Sequence, residues 1–287
     1  LESEGLDLIE SSVTYALATH LENLTLTGNA AVNGFGTAVN NRMRGNNASN
    51  VLEGKEGADT LDGGAGVDTL AGGSGNDFYV IDNSLDQVVE FTSEGVDLVE
   101  SSVTYTLGAH VENLTLVGNG YSMGAGNSLA NQIKGNASDN SLMGLAGNDF
   151  LQGFAGSDRM DGGIDADTME GGLGDDTYVV NDLKDVLIEG INAGYDSVES
   201  GVSYTLQANF ENLYLTEDAR PTIFTYFTHA IGNASDNYLQ GNSGSNFLDG
   251  REGSDALYGN GGEDTLMGGA GDDLLYADQG YNVMDGG

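Results

Sequence analysis

The sequence predicts an all-β fold, a right-handed parallel β-roll or β-helix solenoid, and three observations carry that expectation. First, glycine, aspartate and a large apolar residue recur every nine residues. In GGAGVDTLAGGSGNDFYV (63–80), Asp68 and Asp77 lie nine apart, as do Gly63 and Gly72, Gly66 and Gly75, and Leu70 and Tyr79. Second, a longer unit repeats at offsets of 90 and 99 residues, both whole multiples of nine. Third, the chain carries 45 acidic against 8 basic residues, yet keeps regular apolar positions and a single proline, Pro221.

The nonapeptides fall in three runs. The first reads GKEGADTLD, GGAGVDTLA and GGSGNDFYV (54–80), preceded by a weaker copy, GNNASNVLE (45–53). The second occupies 135–179 and the third 232–285. Numbered G-G-x-G-x-D-x-U-x, with U large and apolar, the first six residues suit a tight turn because glycine reaches positive φ without steric cost. Position 8 and its neighbours make a short strand whose middle side chain points inward. Turn, strand, turn, strand closes one coil in eighteen residues, and coils stack at about the 4.8 Å strand spacing. The expected core is a stack of position-8 side chains: Leu61, Leu70, Tyr79, Leu151, Met160, Met169, Tyr178, Leu248, Leu257, Leu266 and Leu275.

Residues two nonapeptides apart then share an edge. Asp59 stacks under Asp77, Asp149 under Asp167, Asp158 under Asp176 and Asp255 under Asp273, with Asp68 and Asp264 in the same position of their own turns. Two carboxylates about 6 Å apart repel by roughly 1–3 kcal/mol, so a chain of formal charge −37 stays disordered or recruits a cation. The expected carbonyl donors are the turn glycines Gly54, Gly57, Gly63, Gly66, Gly72, Gly75, Gly147, Gly156, Gly162, Gly171, Gly174, Gly253, Gly262, Gly268 and Gly271. With the aspartates they form an all-oxygen cage, which suits a hard divalent cation, Ca²⁺ better than Mg²⁺. Asparagine replaces the position-6 aspartate at Asn50, Asn140, Asn237, Asn246 and Asn282, where sites should be weak or absent and a hydrogen-bonded ladder is the alternative. Ile164-Asp165 disturbs the position-4 glycine of one repeat. Asp86 and Asp185, nine beyond Asp77 and Asp176, could cap the column, although their turns lack glycines.

The charge balance argues against nucleic acid as a partner, because that needs clustered Lys and Arg, and against an anionic membrane surface. No apolar run approaches the roughly 18 residues of a membrane span. LESEGLDLIE has neither the basic nor the apolar region of a signal peptide. With no cysteine there are no disulfides, thiolate metal sites or cysteine chemistry.

In the longer unit, GLDLIESSVTYALATHLENLTL (5–26) recurs as GVDLVESSVTYTLGAHVENLTL (95–116) and GYDSVESGVSYTLQANFENLYL (194–215). The second run is one nonapeptide longer than the first, which accounts for the two offsets and predicts that the acidic edge switches sides if the connecting segments keep phase. Three units are expected, 1–80, 81–179 and 180–287, each ending in a run (45–80, 135–179, 232–285) and together one continuous solenoid. Because LESEGLDLIE matches FTSEGVDLVE (91–100) and Gly286-Gly287 would open another nonapeptide, the expectation is a segment of a longer array.

The tandem G-G-x-G-x-D-x-U-x copies resemble the RTX, or hemolysin-type calcium-binding, repeat family. The SSVTYTL…VENLTL segments are similar to the connecting segments of large repetitive secreted RTX proteins. The resemblance implies several Ca²⁺ ions, export from a Gram-negative cell through a type I channel, and folding outside, at the bacterial surface or beyond, where calcium is millimolar. The family's secretion signal lies at the extreme C-terminus and has no counterpart here. The function expected is a structural module of an extracellular protein: a stalk, surface-layer or adhesin segment. Further copies of itself or cell-surface polysaccharide would be its partners besides calcium. The alternative is the repeat region of a secreted polysaccharide- or lipid-acting enzyme whose catalytic domain lies outside this chain.

Other residues read as scaffold. His20 and His110 hold equivalent places, taken by Asn209 in the third copy, which suits a turn better than catalysis; His229 stands alone. Glu10, Glu100 and Glu199 and the E-N-L triplets at 22–24, 112–114 and 211–213 recur in every copy, unlike a single pair of catalytic carboxylates. No catalytic residue is assigned. The N-x-S/T sequons at Asn23, Asn47, Asn113, Asn136 and Asn233 follow the repeat, and no G-x-S-x-G, P-loop or EF-hand pattern is present. The least repetitive stretch, TEDARPTIFTYFTHAI (216–231), is where a specific partner contact would be sought first.

Overall fold

A computed structural model describes residues 5–217, 227–278 and 280–287. Among these the chain forms 31 strands of two to seven residues and no helix, and every strand pairing in the ladders below is parallel. There are two compact units, Leu1–Asn136 with Met143–Phe150 and Ala137–Leu142 with Leu151–Gly287.

Each unit is a parallel β-solenoid built on the nine-residue clock. Positions 7 to 9 form the strand, as in Thr60–Asp62, Arg159–Asp161 and Ala256–Tyr258, and only the middle residue is buried on both sides. In the first unit Ile9, Leu24, Met43, Leu61, Tyr79, Val99, Leu114 and Ile133 lie in one row in register. Leu52, Leu70 and Val88 form a second row. In the second unit Met160, Tyr178, Val198, Leu213, Leu239, Leu257 and Leu275 make one row and Ala230, Leu248, Leu266 and Met284 another. Of the eleven expected core residues ten are fully buried; Leu275, in the last strand of its row, is covered from one side and half-buried.

The turns need left-handed backbone at positions 2 and 4, as at Gly64 (φ +71°) and Gly66 (φ +145°). The stacked coils impose this conformation even without glycine. Lys55, Leu145, Phe154 and Arg251 adopt φ of +76° to +90° at position 2, and Asp165 keeps φ +85° at position 4, so the irregular repeat holds its turn. His20, His110 and Asn209 share φ of +75°, +68° and +70° and are turn residues, as expected from their interchange. His229 lies on the exposed face of Thr228–Ile231, its ring 5.4 Å from that of Phe247.

The long segments continue the coils inside each unit. From Ile9 the register steps are 15, 19, 18, 18, 20, 15 and 19 residues to Ile133. The first five steps make up the 90-residue repeat. Length differences are absorbed in turns, which leaves the inward side chains aligned. Of the segment 216–231, residues 218–226 lie outside the described residues, and Thr228–Ile231 is a strand.

Leu61 is sealed between Met43 and Tyr79. Leu61→Ala should lower the stability of the calcium-loaded protein by about 2–5 kcal/mol, read from urea unfolding, because a cavity opens in a one-side-chain-thick core. Val67→Ala, on an exposed turn, should stay within about 0.5 kcal/mol.

Candidate metal centre

Each position-6 residue faces the coil on either side through its backbone and its side chain. The Asp59 N–H donates to Asp77 Oδ1 at 2.7 Å, and Asp59 Oδ1 accepts the Asn41 N–H at 2.6 Å. On the opposite edge Asn50, Asp68 and Asp86 repeat the pattern at 2.7 and 2.9 Å. In the second unit the Asp158 N–H donates to Asp176 Oδ1 at 2.8 Å, and the Asp255 N–H to Asp273 Oδ1 at 2.9 Å. Asp264 accepts from Asn246, Asp149 from Asn131, and the Asp167 N–H reaches Asp185 Oδ1. One carboxylate oxygen of Asp59, Asp68, Asp77, Asp149, Asp158, Asp176, Asp255, Asp264 and Asp273 is thus part of the backbone ladder.

The other oxygen is left over. Oδ2 of Asp59, Asp68, Asp77, Asp158, Asp176, Asp255, Asp264 and Asp273 is buried and accepts no hydrogen bond. It points at position 1 of its own turn, where a Cβ on Gly54, Gly63, Gly72, Gly171 or Gly268 would overlap it, and Gly162 bears the same relation to Asp167. Position 1 is therefore glycine for space. The same point faces a carbonyl of the next coil: a Cβ on Gly54 would sit 2.9 Å from the Gly72 oxygen. Gly153 and Gly250 show the same pair of oxygens, from Asp158 and Gly171 and from Asp255 and Gly268, and Gly259 faces Asp264. These three glycines were not singled out from the sequence, although each opens a nonapeptide. The carboxylate oxygens and carbonyls make a cradle of hard donors that fits a calcium ion. The position-4 glycines, Gly57, Gly66, Gly75, Gly147, Gly156, Gly174, Gly253, Gly262 and Gly271, all have positive φ and stack against the preceding coil's backbone.

A buried carboxylate with an unfilled oxygen resists ionisation. Burial pushes Asp59 and Asp176 up to about 7, and Asp68, Asp158 and Asp255 to about 6, despite the opposing pull of their backbone N–H donors. Repulsion from neighbouring carboxylates adds to this, Asp77 acting on Asp59 and Asp273 on Asp255. Asp77 and Asp264 are raised for the same leading reason.

At the asparagine turns the side-chain amide finds protein partners. Asn50 accepts the Asn46 N–H at Oδ1 and donates Nδ2 to the Val32 carbonyl; Asn237 accepts from Asn233 and donates to Phe210 and Glu211. Asn246 donates to Thr228 Oγ1, Asn282 to the Asp278 carbonyl and Asn140 to the Asp139 carbonyl. Asn50, Asn237 and Asn246 thus bond to the coil before them, and the amides of Asn140 and Asn282 bond within their own turns. Asp86 and Asp185 also behave as caps. Their Oδ1 accepts from Asp68 and Asp167, and Oδ2 from the N–H groups of Asn83 and Asp182, so both oxygens are used.

Sequence reasoning missed Asp97 and Asp196. The Asp77 and Asp176 N–H groups donate to their Oδ1 at 2.8 and 2.9 Å, while Oδ2 stays buried and unfilled. Burial holds Asp97 at about 6 and Asp196 at about 7. They lie twenty residues on, off the nine-residue clock; the available signal was the aspartate shared by SEGVDLVE and NAGYDSVE. The E-N-L triplets are scaffold. Glu22, Glu112 and Glu211 accept the N–H of Asp7, Asp97 and Asp196, and Asn23 and Asn113 donate to the Asp7 and Asp97 carbonyls.

A family model described as RTX calcium-binding nonapeptide repeat (4 copies) matches residues 44–79, 126–153, 134–169, 151–178, 231–266 and 258–287, about half the chain. Comparison with curated proteins returned no match.

The raised aspartates set a pH dependence. A carboxyl whose folded pKa lies above its unfolded value favours the fold below the unfolded value and ceases to do so as pH rises through the folded one. Metal-free protein should therefore gain β-structure as pH falls from 8 to 4, most steeply around 6–7, because protons then neutralise Asp59, Asp176 and their neighbours. Circular dichroism of the metal-free chain across that range checks it; a spectrum independent of pH contradicts the origin given to the shifts.

Proposed function

This chain belongs to the RTX calcium-binding nonapeptide repeat family and binds Ca²⁺ at several sites, and from that premise we propose that it is a calcium-triggered structural module of an extracellular protein. It remains unfolded at the low calcium of a cell interior, leaves by type I secretion, and folds outside into a stiff segment of a stalk, surface layer or adhesin. The side-chain ligands are Asp59, Asp68, Asp77, Asp149, Asp158, Asp167, Asp176, Asp255, Asp264 and Asp273, completed by carbonyls of the glycine turns.

The observation that carries this reading is the set of buried position-6 oxygens with no protein partner. The chain cannot fill them itself. It has 8 basic residues against 45 acidic ones, and the ion pairs among the described residues, Arg44–Asp62, Arg159–Glu199 and Lys184–Asp182, lie on the surface and touch none of these aspartates. An external cation must do so. A ligand that binds only the folded state adds about 2.7 kcal/mol per site at a hundred times its Kd. A few such sites match the roughly 5–15 kcal/mol by which domains are stable, so the presence or absence of calcium decides between the two states. Parallel strand pairing that runs from the nonapeptides into the long segments within each unit supports a spacer role, since no coil is left unpaired along the rows described.

Far-UV circular dichroism should show a disordered chain in chelator and β-structure in millimolar Ca²⁺. Identical folded spectra in both, with no metal bound, would sink the proposal. Asp176→Asn should fold at a several-fold higher calcium concentration, because an amide brings a donor where an anionic oxygen is needed.

A further inference from the structure

The last nonapeptide of the first run and of the second ends differently from the others. Asp77, Glu90 and Asp97 bring one carboxylate oxygen each within 4.8 Å of one another, and Asp176, Glu189 and Asp196 do the same. In the first cluster all three residues are at least 95 % buried, and Asp77 Oδ2, Glu90 Oε2 and Asp97 Oδ2 accept no hydrogen bond. In the second, Asp176 and Asp196 are equally buried and their Oδ2 atoms equally unfilled.

The glutamate stands where the repeat has glycine. Gly54, Gly72 and Glu90 are eighteen residues apart, as are Gly153, Gly171 and Glu189. At Gly72 and Gly171 a side chain would overlap the turn's own aspartate. In the closing coil that aspartate is displaced: Asp97 follows Asp77, and Asp196 follows Asp176, by twenty residues instead of eighteen. The longer turn admits a carboxylate at position 1. That carboxylate is aimed by a tyrosine found at position 8 only in these two closing repeats. The Tyr79 hydroxyl accepts the Gly72 N–H at 2.7 Å and donates to Glu90 Oε1, which leaves Oε2 turned toward the aspartates. Tyr178 accepts from Gly171 at 2.7 Å and donates to Glu189 Oε2 at 2.5 Å.

We propose that each Asp–Glu–Asp cluster is a calcium site of a second kind, which closes the run and ties it to the connecting segment that follows. Ca–O distances of 2.3–2.6 Å place two oxygens on one ion no more than about 5 Å apart, and the three carboxylate oxygens of each cluster, all within 4.8 Å of one another, meet that. Three side-chain carboxylates on one ion exceed what a column position offers, and affinity rises with ligand charge. These sites fill first as calcium rises. Each holds Asp77 or Asp176 of the run against Asp97 or Asp196 of the next segment. The inference rests on the reading of the chain as a calcium-folded module.

Native mass spectrometry of the full chain across a calcium titration tests it. Glu90→Gln with Glu189→Gln keeps a partner for each tyrosine and removes the charge; the double variant should bind two fewer ions and lose the tightest phase, while Glu56→Gln, on the exposed face of Val51–Glu56, loses none. An unchanged ion count and titration overturns the inference and leaves calcium-dependent folding intact; a wild-type chain that binds no calcium overturns the functional reading itself. Should the double variant not fold, terbium reports on the wild type: the first two equivalents should give tyrosine-sensitised emission that Tyr79→Phe with Tyr178→Phe removes, and emission unaffected by that change refutes the site.

Discussion

Everything in this molecule follows from a carboxylate that is half satisfied. At position 6 the aspartate gives one oxygen to the backbone N–H of the coil before it, as Asp77 does for Asp59 and Asp176 for Asp158, and buries the other against a glycine with nothing to accept from. The first contact fixes the stacking of coils. The second makes the stack unfavourable on its own, because a buried polar atom left unpaired costs about 1–3 kcal/mol and more when charged. The feature that defines the fold is therefore also the one that opposes it until the second oxygen is neutralised. Asparagine shows the converse. Asn50 turns its Oδ1 to the Asn46 N–H of its own turn, and in place of the second oxygen carries an N–H donor that finds the Val32 carbonyl of the coil before it.

Glycine serves two separate needs in the repeat. At positions 2 and 4 the backbone is left-handed, which the packed coils also impose on Phe154, Arg251 or Asp165, and at Gly73 and Gly75 the preceding coil's carbonyl crowds any Cβ as well. At position 1 it is a matter of volume, set by the aspartate oxygen five residues later and the carbonyl of the next coil. The long segments keep the crowding only at single positions, as at Gly36 and Gly126, which face the side-chain oxygens of Asn41 and Asn131. These segments carry Glu112 bonded to the Asp97 N–H, Asn113 bonded to the Asp97 carbonyl and Ser101 bonded to Val103 at the corner, so away from the Asp97 and Asp196 carboxylates these groups are matched internally.

The regular part of the architecture was legible because period nine leaves no freedom. Eighteen residues per coil, position 8 inward, position 6 on the edge and glycine in the turn could all be read, and so could the turn role of His20, His110 and Asn209 from their interchange. What escaped reading lies where the period breaks. Asp97 and Asp196 are two residues off phase because the closing turn is longer, and Glu90 and Glu189 occupy a position that the rest of the repeat reserves for glycine. A pattern search penalises both departures, and only the three-dimensional proximity of these groups shows that they compensate each other. Asp86 and Asp185 could not be judged from sequence because ligand and cap differ only in whether the second oxygen meets an N–H. Asn83 and Asp182 supply that N–H from turns without glycine.

The unfilled oxygens are confined between two kinds of ending. Each column described opens on an asparagine turn, such as Asn41, Asn50, Asn131 or Asn237, whose amide is bonded to the preceding segment. In the first run one column ends in Asp86, with both oxygens satisfied, and the other in the Asp97 turn. The unfilled oxygens therefore lie in the runs and in the Asp–Glu–Asp clusters that close them. Adding one nonapeptide adds one inward side chain, one backbone-to-carboxylate bond and one unfilled oxygen, and disturbs neither ending. That is why the second run can exceed the first by nine residues while the flanking sequences SSVTYTL and VENLTL stay almost unchanged, and why an array of this kind lengthens its acidic runs without redesigning the segments between them.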